Sequence, residues 1–272
     1  MTAFVEPLPR SRSRRVGRQV LDVLPAVAVF VLGIAAWQAI VVGFHIQEFL
    51  LPKPTSIAQS FWENKHALWS AGLYTFKEAL GGFLIGSAAA ILVALVLARW
   101  RGLGRAFMPY AIAANAIPII AFAPITNNWF GILSPASKIV IAAVICFFPV
   151  MINTLRGLTS VPPEAVELMR SYAARERDIF RRVRFPHALP FIFSALKVAT
   201  VLAMIGAIVG DYFGGSDQAL GILIRRSAGI FAFEEAWAAI LVACVLGIVF
   251  YGMVALVERL TMGWHVSARG KE

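Results

Sequence analysis

The sequence predicts an all-α membrane protein with six transmembrane helices. Of its 272 residues, 59% are hydrophobic and only 15% are charged, a composition typical of proteins embedded in a bilayer. Six apolar segments are long enough to cross the hydrocarbon core. We place these spans at about 20–44, 74–98, 107–130, 138–155, 191–209 and 236–257, within a single transmembrane domain over 20–265.

A basic segment, residues 1–19, precedes the first apolar run and contains five arginines. A basic start followed by an apolar run is also typical of a secretory signal peptide. The run from Val20 to Phe44 is too long for the apolar core of a signal peptide and long enough to span the bilayer. We therefore interpret it as an uncleaved first span.

The connection between the first two spans, residues 45–72, contains two prolines, Pro52 and Pro54. Thr55 or Ser56 can cap a helix at this point. We expect an amphipathic surface helix that runs to about residue 69 and a separate second span that begins near residue 74. The second span is rich in residues small enough to permit close helix packing in lipid: Gly81, Gly82, Gly86 and Ala88–Ala90.

The third predicted span contains Pro109, Pro118 and Pro124, which interrupt helical hydrogen bonding. A broken helix at membrane depth is tolerated where it faces protein or a water-filled cavity. Asn115 and Asn127 are therefore candidates for lining a transport pathway, with hydrogen bonding between helices as the alternative.

The segment between the last two spans, residues 210–235, begins with Asp211, Tyr212 and Phe213. These three residues are further candidates for the pathway. The two aromatic rings either stack on a heterocyclic solute or anchor the chain at the membrane interface. The apolar middle of the segment predicts a short helix. Its Arg225 and Arg226 attract either an anionic solute or acidic residues of a partner.

The longest polar segment, residues 156–190, separates the fourth and fifth spans. Pro162 and Pro163 open a short helix, because proline is tolerated in the first helical turn. Apolar residues recur along this helix at helical spacing. Such a stripe requires a surface to cover it, either on a partner protein or on the rest of this chain. The stripe comprises Val166, Met169, Tyr172 and Ala173.

Basic residues are distributed unevenly between the two sides of the predicted membrane. The termini, the 99–105 loop and the 156–190 loop contain 18 lysines and arginines, whereas the opposite loops contain four. Because cytoplasmic loops carry the excess of positive charge, the termini, including the tail at 266–272, and the 156–190 loop are predicted to be cytoplasmic. The net charge of +10 therefore reflects membrane topology, and we expect no nucleic-acid partner.

Several classes of protein are excluded by motifs that the sequence lacks. It has no phosphate-binding loop, no HExxH metal motif and no G-x-S-x-G nucleophile turn. Its two cysteines lie in apolar spans, without a Cys/His cluster nearby. We therefore expect no catalytic residues, no metal and no cofactor. The chain is not expected to be an enzyme, and an intramembrane enzyme is the least favoured reading.

Carboxylate pairs inside the membrane are typical of proton-coupled carriers. The sequence places Asp22, Asp211 and Glu258 near span ends, and Glu78 near the outer end of the second span. It therefore predicts no such pair. Without an energy source of its own, the chain is expected to receive energy from a partner at its cytoplasmic loop. A secondary transporter that works without an ATPase is the alternative.

The 156–190 loop resembles the EAA loop of bacterial binding-protein-dependent ABC importer permeases. That motif reads E-A-A, three residues, G, nine residues, I-x-L-P. Glu167 matches the glutamate and Pro186 the last proline, with Ala173, Val183 and Phe185 at the glycine, isoleucine and leucine positions. Leu168 and Met169 replace the two alanines. Alanine in place of glycine fits a helical φ but opposes a turn that needs positive φ.

Other stretches resemble the nitrate, sulfonate and taurine branch of these permeases: LLPKPTSI, NNWFGILSPASK and FFPVMINTLRGL. The stretch GDYFGG is more similar to permeases for thiamine-pyrimidine precursors or riboflavin. The resemblance covers about residues 50–265. It implies either a pyrimidine- or riboflavin-like heterocycle as the solute, or an anion such as a sulfonate, nitrate or taurine.

The resemblance implies a type I importer fold with a cytoplasmic coupling helix, in the inner (plasma) membrane of a bacterium. The implied partners are cytoplasmic ABC ATPase subunits, an extracytoplasmic substrate-binding protein, a second copy of the permease and membrane lipid. The residues implied to couple the permease to the ATPase are Glu164, Glu167, Leu168, Met169, Arg170, Ala173, Val183, Phe185 and Pro186.

Overall fold

The computed structural model describes residues 12–116, 118 and 121–262, and in that part its regular elements are all helices, joined by turns and short loops, without strands. A π-helical turn, Phe180–Arg184, lies between the seventh and eighth α-helices. The predicted tail at 266–272 and most of the basic segment at 1–19 lie outside the described residues. The α-helices are α1 (Arg12–Gly43), α2 (Pro54–Arg99), α3 (Arg101–Asn115), α4 (Phe122–Phe130), α5 (Pro135–Thr159), α6 (Pro163–Ser171), α7 (Glu176–Ile179), α8 (Phe185–Phe213), α9 (Leu220–Gly229) and α10 (Phe233–Thr261).

Five helical segments in the described part of the chain are long and apolar enough to cross a membrane. They correspond to five of the six predicted spans. The predicted third span instead forms two shorter helices, α3 and α4, because its prolines prevent one continuous hydrogen-bonded helix. The five segments are Leu24–Gly43, Pro54–Arg99, Pro135–Thr159, Glu176–Phe213 and Phe233–Thr261.

The helix α2 differs most from the sequence prediction, because it runs unbroken through 46 residues. The expected surface helix and second span are its two ends. Gly72, at the predicted break, is helical and lies against α10, where an added Cβ would come within 2.6 Å of Val242 and 2.8 Å of Leu246. The glycine therefore serves close packing of two helices and does not end either one.

The core is built by α2, α5 and α8, and small residues bring these helices together as predicted. A Cβ on Gly82 would collide with Ala142, and one on Gly86 would lie 2.8 Å from the Cα of Ala143. Gly206 of α8 approaches Ala142 in the same way. Neighbouring helices in lipid are held together by close van der Waals contact. These glycines therefore allow the backbones of α2, α5 and α8 to pack closely against one another.

Aromatic contacts between α2 and α10 show which part of α2 lies inside the helical bundle. The rings of Phe76 and Phe83 lie edge-on to Phe250, with centroids 5.2 and 5.0 Å apart. Phe250 lies in the interior of α10, well away from both of its ends. The stretch of α2 between Phe76 and Phe83 is therefore inside the helical bundle and not at its outer surface.

Candidate functional site

The predicted cytoplasmic helix is present as α6, which begins at Pro163 and ends at Ser171. Proline at the first position needs no hydrogen-bond partner for its nitrogen, and Glu164 lies in the first turn, where its charge favours the positive end of the helix dipole. Two prolines in a row thus end α5 and start α6 within a few residues. The remainder of the loop is also helical, through α7 and the π-helical turn into α8.

The apolar residues of α6 divide between two faces, unlike the single stripe predicted from sequence. Val166 is 8% exposed and packs against the chain itself, and Met169 is half-buried. Leu168 is 58% exposed and Tyr172 is 77% exposed. The helix is therefore anchored on one side, and its outward side presents a leucine and a tyrosine to the solvent.

Ion pairs connect the end of α6 to the segment that follows it. Arg170 Nη2 lies 2.8 Å from Glu176 Oε1, and Arg184 in the π-helical turn lies 4.0 Å from Glu176 Oε2. Arg170 thus pairs with Glu176 across the end of α6. Val183 and Pro186 are half-buried, and the ring of Phe185 lies 6.4 Å from that of Phe180.

Ala173, at the glycine position of the EAA motif, has a φ of +56°. This is the left-handed region, in which a Cβ is unfavourable and glycine is preferred. Its amide donates to Arg170 O at 2.9 Å, an arrangement that ends the helix. The alanine therefore adopts the backbone conformation for which a glycine is suited.

A cavity of about 1020 Å³ separates α6 from α3. Arg105 of α3 and Glu167 and Arg170 of α6 contribute charged groups to its wall, and the rest is mainly apolar. Other lining residues come from the ends of α2 and α5. The residues that the loop and α6 contribute to the wall are Val161, Pro163, Val166, Glu167 and Arg170.

Two of the predicted pathway residues meet in a buried cluster at the opposite end of α5. Asp211 is 0% exposed, and Asn127 is 7% exposed and lies beside Lys138. Asn115 ends α3 and is exposed there, apart from the cluster. Tyr212 and Phe213 complete α8, each 42% exposed, with ring centroids 5.8 Å apart.

Sequence reasoning missed three members of this cluster, Thr75, Glu78 and Lys138. Thr75 Oγ1 donates to Asp211 Oδ2 at 2.8 Å, and the Glu78 carboxyl contacts the Asp211 carboxyl. The expectation that the membrane domain has no carboxylate pair is therefore wrong. The error arose because Glu78 was assigned to a span end, whereas α2 continues for 21 residues before Thr75. An acidic residue inside a long apolar helix is the signal that would have identified the site.

Comparison with known proteins agrees with this architecture. Residues 82–262 match the family described as "Binding-protein-dependent transport system inner membrane component". The chain is 34% identical over 233 residues to the riboflavin transport system permease protein RibX of Chloroflexus aurantiacus, covering 85% of this chain and 86% of that protein. It is 31% identical to the formylaminopyrimidine transport permease protein ThiX of Halalkalibacterium halodurans, covering 80% and 87% of the two chains.

Solved structures share the fold at lower sequence identity. The crystal structure of an amino acid ABC transporter with histidines has a TM-score of 0.60 and 19% identity, covering 74% of this chain and 97% of that one. An inward-facing MetNI methionine ABC transporter has a TM-score of 0.52 and 18% identity, covering 77% and 98%. The family match spans more than half of the chain, and the fold is that of type I importer permeases. The chain therefore belongs to the family of inner-membrane components of binding-protein-dependent transport systems, and it is a permease subunit of an ABC importer.

Proposed function

We propose that this permease forms the membrane pathway for a small heterocyclic solute and that α6 is the element through which a partner ATPase drives it. The proposal rests on the observation that one side of α6 is buried against the permease and the other side is exposed. One side is fixed to the permease by Val166, and the other side leaves Leu168 and Tyr172 exposed. A helix anchored in this way transmits force from a protein that covers its outward side.

The proposed coupling surface is the outward side of α6 together with its C-terminal turn. Leu168 and Tyr172 supply apolar area, and Ser171 and Ala173 are small enough to permit close approach. Glu164 and Glu167 add negative charge beside the exposed Arg170. The ion pairs of Glu176 with Arg170 and with Arg184 then connect the coupling surface to the start of α8. Movement of α6 is therefore passed directly to a membrane-spanning helix.

ATP hydrolysis is assigned to the partner ATPase, because the permease sequence contains no phosphate-binding loop. The orientation follows from the charge distribution, with both termini and α6 in the cytoplasm. We further propose that two copies of this chain assemble around the pathway and that the exposed apolar side chains of α1 and α10 face lipid. Exposed residues of this kind include Phe30, Leu32, Ile248 and Leu256.

The proposed solute is a riboflavin- or pyrimidine-like heterocycle. Relatives at 34% and 31% identity are named for riboflavin and formylaminopyrimidine, whereas a permease named for aliphatic sulfonates in Bacillus subtilis is 27% identical. The exposed rings of Tyr212 and Phe213 at the end of α8 offer a stacking surface suited to a flat heterocycle. An anionic solute is the second candidate, favoured by the exposed Arg225 and Arg226 of α9.

The test is reconstitution of the permease in liposomes with its partner ATPase and binding protein. We expect uptake of labelled riboflavin or formylaminopyrimidine to require ATP, the ATPase and the binding protein together. Alanine at both Tyr212 and Phe213 should reduce heterocycle uptake and leave basal ATP hydrolysis unchanged. Uptake of a sulfonate or nitrate alone would assign the solute to the anionic class. Uptake by the permease without its ATPase would favour the secondary-transporter alternative.

A further inference from the structure

A chain of hydrogen bonds connects the N-terminus of α9 to the middle of α2. The backbone amide of Leu220 donates to Thr75 Oγ1 at 2.9 Å, and Thr75 Oγ1 donates to Asp211 Oδ2 at 2.8 Å. Gly221, the next residue of α9, packs against Asp211, and an added Cβ there would lie 2.5 Å from the Asp211 Cβ. The first turn of α9 is thereby held on the Asp211 carboxyl, deep between α2 and α8.

Glu78 is the second acidic group at this position. Its side chain is 3% exposed and in hydrogen-bond contact with the Asp211 side chain, which is 0% exposed. Glu78 Oε2 and Asp211 Oδ1 receive no donor from any other described residue. An ionised carboxylate accepts hydrogen bonds but cannot donate one, and two ionised carboxylates in contact repel each other. Their contact therefore requires a proton between them.

The surrounding groups decide which carboxyl carries that proton. Asp211 accepts from the hydroxyl of Thr75, which itself accepts from the Leu220 amide at the positive end of α9. The hydroxyl donor and the positive helix end both favour the ionised form of Asp211. Glu78 has no comparable donor in the described chain. Glu78 is thus the protonated partner, and its hydroxyl donates to Asp211.

Charge balance leads to the same assignment. Lys138 is 1% exposed and donates to Ser134 O at 3.3 Å and to Asn127 Oδ1 at 3.4 Å. Its ammonium group is the cation near both carboxyls. One anion at Asp211 and one cation at Lys138 balance each other, so a neutral Glu78 leaves no uncompensated buried charge.

Few other titratable groups face this pair. On α2 itself, Tyr74 interacts with both carboxyls. On α9, Arg225 and Arg226 are exposed at the surface. On α10, the sequence has no charged residue between Glu235 and Glu258. The protonation state of Glu78 therefore depends mainly on Asp211, Lys138 and Tyr74.

We propose that Glu78 is a proton-binding site that exists only while the first turn of α9 is docked against Asp211. Undocking of α9 removes the Leu220 amide from Thr75, moves the positive end of the helix away and admits water to the carboxyl pair. A hydrated glutamic acid is ionised at neutral pH, so Glu78 then releases its proton to water and becomes a carboxylate. Redocking requires that one proton be taken up again. Movement of α9 is thus linked to binding and release of a single proton, whatever solute the permease carries.

Infrared spectroscopy of the purified full-length permease tests the proton directly and without a variant. A protonated carboxyl group has a C=O stretching band that is distinct from the carboxylate bands. We expect this band at neutral pH, and we expect it to shift when glutamate carboxyl carbons are labelled with ¹³C but not when aspartate carboxyl carbons are. Absence of the band at neutral pH, or a shift with aspartate labelling alone, would overturn the assignment to Glu78.

Variants then test the specific residue. Glu78→Gln should remove the band, whereas Glu63→Gln, at an exposed position of the same helix, should leave it unchanged. Asp211→Asn should shift the band, because the hydroxyl of Glu78 loses its anionic acceptor. A band that Asp211→Asn leaves unmoved would contradict the contact between the two carboxyls.

Thiol labelling tests the link to α9. In a chain with Cys146→Ser and Cys244→Ser, we compare Ala219→Cys, buried just before α9, with Gln218→Cys, which is exposed. The ratio of their maleimide labelling rates cancels the intrinsic pH dependence of the thiol. We expect this ratio to rise with pH in the parent and to be independent of pH when Glu78→Gln is added. A pH-independent ratio in the parent would refute the link between the proton and α9.

Discussion

The amide of Ala174 donates to the carbonyl of Met169 at 3.1 Å, across a helix end at which the intervening Ala173 has a φ of +56°. This hydrogen bond closes the C-terminal turn of α6 in the manner usually found with glycine in the left-handed position. The alanine methyl is therefore accommodated at a cost in backbone energy. The proposed coupling surface ends in a turn that retains its geometry without the preferred residue.

Replacing Ala173 with glycine should stabilise this turn. Relief of the left-handed strain contributes about 1–2 kcal/mol, and the greater freedom of glycine in the unfolded chain offsets part of it, which leaves about 0.5–1 kcal/mol. Hydrogen exchange of the amides between Met169 and Ala174 should slow by about two- to fivefold. Ala165→Gly, inside α6, is the matched control and should speed exchange instead. Faster exchange in Ala173→Gly would show that the turn is not strained.

Leu168 should contribute to ATPase docking without contributing to the fold of the permease. Its side chain is 58% exposed, and burial of a leucine side chain contributes about 1.5–3 kcal/mol. Leu168→Asp should therefore weaken retention of the ATPase in an affinity pull-down by about tenfold or more, with normal permease abundance in membranes. Val166→Asp, on the buried side of the same helix, should lower abundance itself. Unchanged ATPase retention in Leu168→Asp would remove this side of α6 from the coupling surface.

Local signals in the sequence were sufficient to predict α6 and most of the apolar spans. Paired prolines mark the start of α6, and long apolar runs mark the spans, because both depend on neighbouring residues. The cluster around Asp211 could not be found in this way. Thr75 and Asp211 are 136 residues apart and meet only when α2, α8 and α9 pack together. Likewise, Gly72 indicates a break when viewed alone, and its role in packing against α10 appears only in the folded chain.

Lys138 and Asp211 should show energetic coupling in a double-mutant cycle. Lys138→Met leaves Asp211 as an uncompensated buried anion, which typically costs about 3 kcal/mol or more. In Asp211→Asn the amide oxygen still accepts from Thr75, and the double variant contains neither charge. Thermal stability of the purified permeases should therefore give a coupling energy of about 1–3 kcal/mol. Additive effects of the two substitutions would show that the charges do not balance each other.

Gly86 should be intolerant of even one added methyl group. A Cβ there would lie 2.8 Å from the Cα of Ala143 on α5, and overpacking of a close contact costs about 1–3 kcal/mol. Gly86→Ala should therefore lower the thermal stability of the purified permease. Gly247→Ala is the control, because no neighbouring atom of the described residues lies within 4 Å of a Cβ at that position, and alanine favours helix there by up to about 1 kcal/mol. Equal stability of the two variants would show that α2 and α5 are not packed through Gly86.

The orientation of the permease can be tested at two exposed positions that are predicted to lie on opposite sides of the membrane. Ser160 follows α5 and precedes α6, and Gln218 lies between α8 and α9. Both cysteines are first replaced, by Cys146→Ser and Cys244→Ser. Serine at position 146 keeps a donor for Ala199 O, which the Cys146 thiol contacts at 3.2 Å. The excess of basic residues on the side of Ser160 predicts that side to be cytoplasmic. In intact spheroplasts an impermeant maleimide should therefore label Gln218→Cys and reach Ser160→Cys only after the membrane is permeabilised. If Ser160→Cys is labelled in intact spheroplasts and Gln218→Cys is protected, the orientation is opposite to the one predicted. If both are labelled, the chain does not cross the membrane an odd number of times between them.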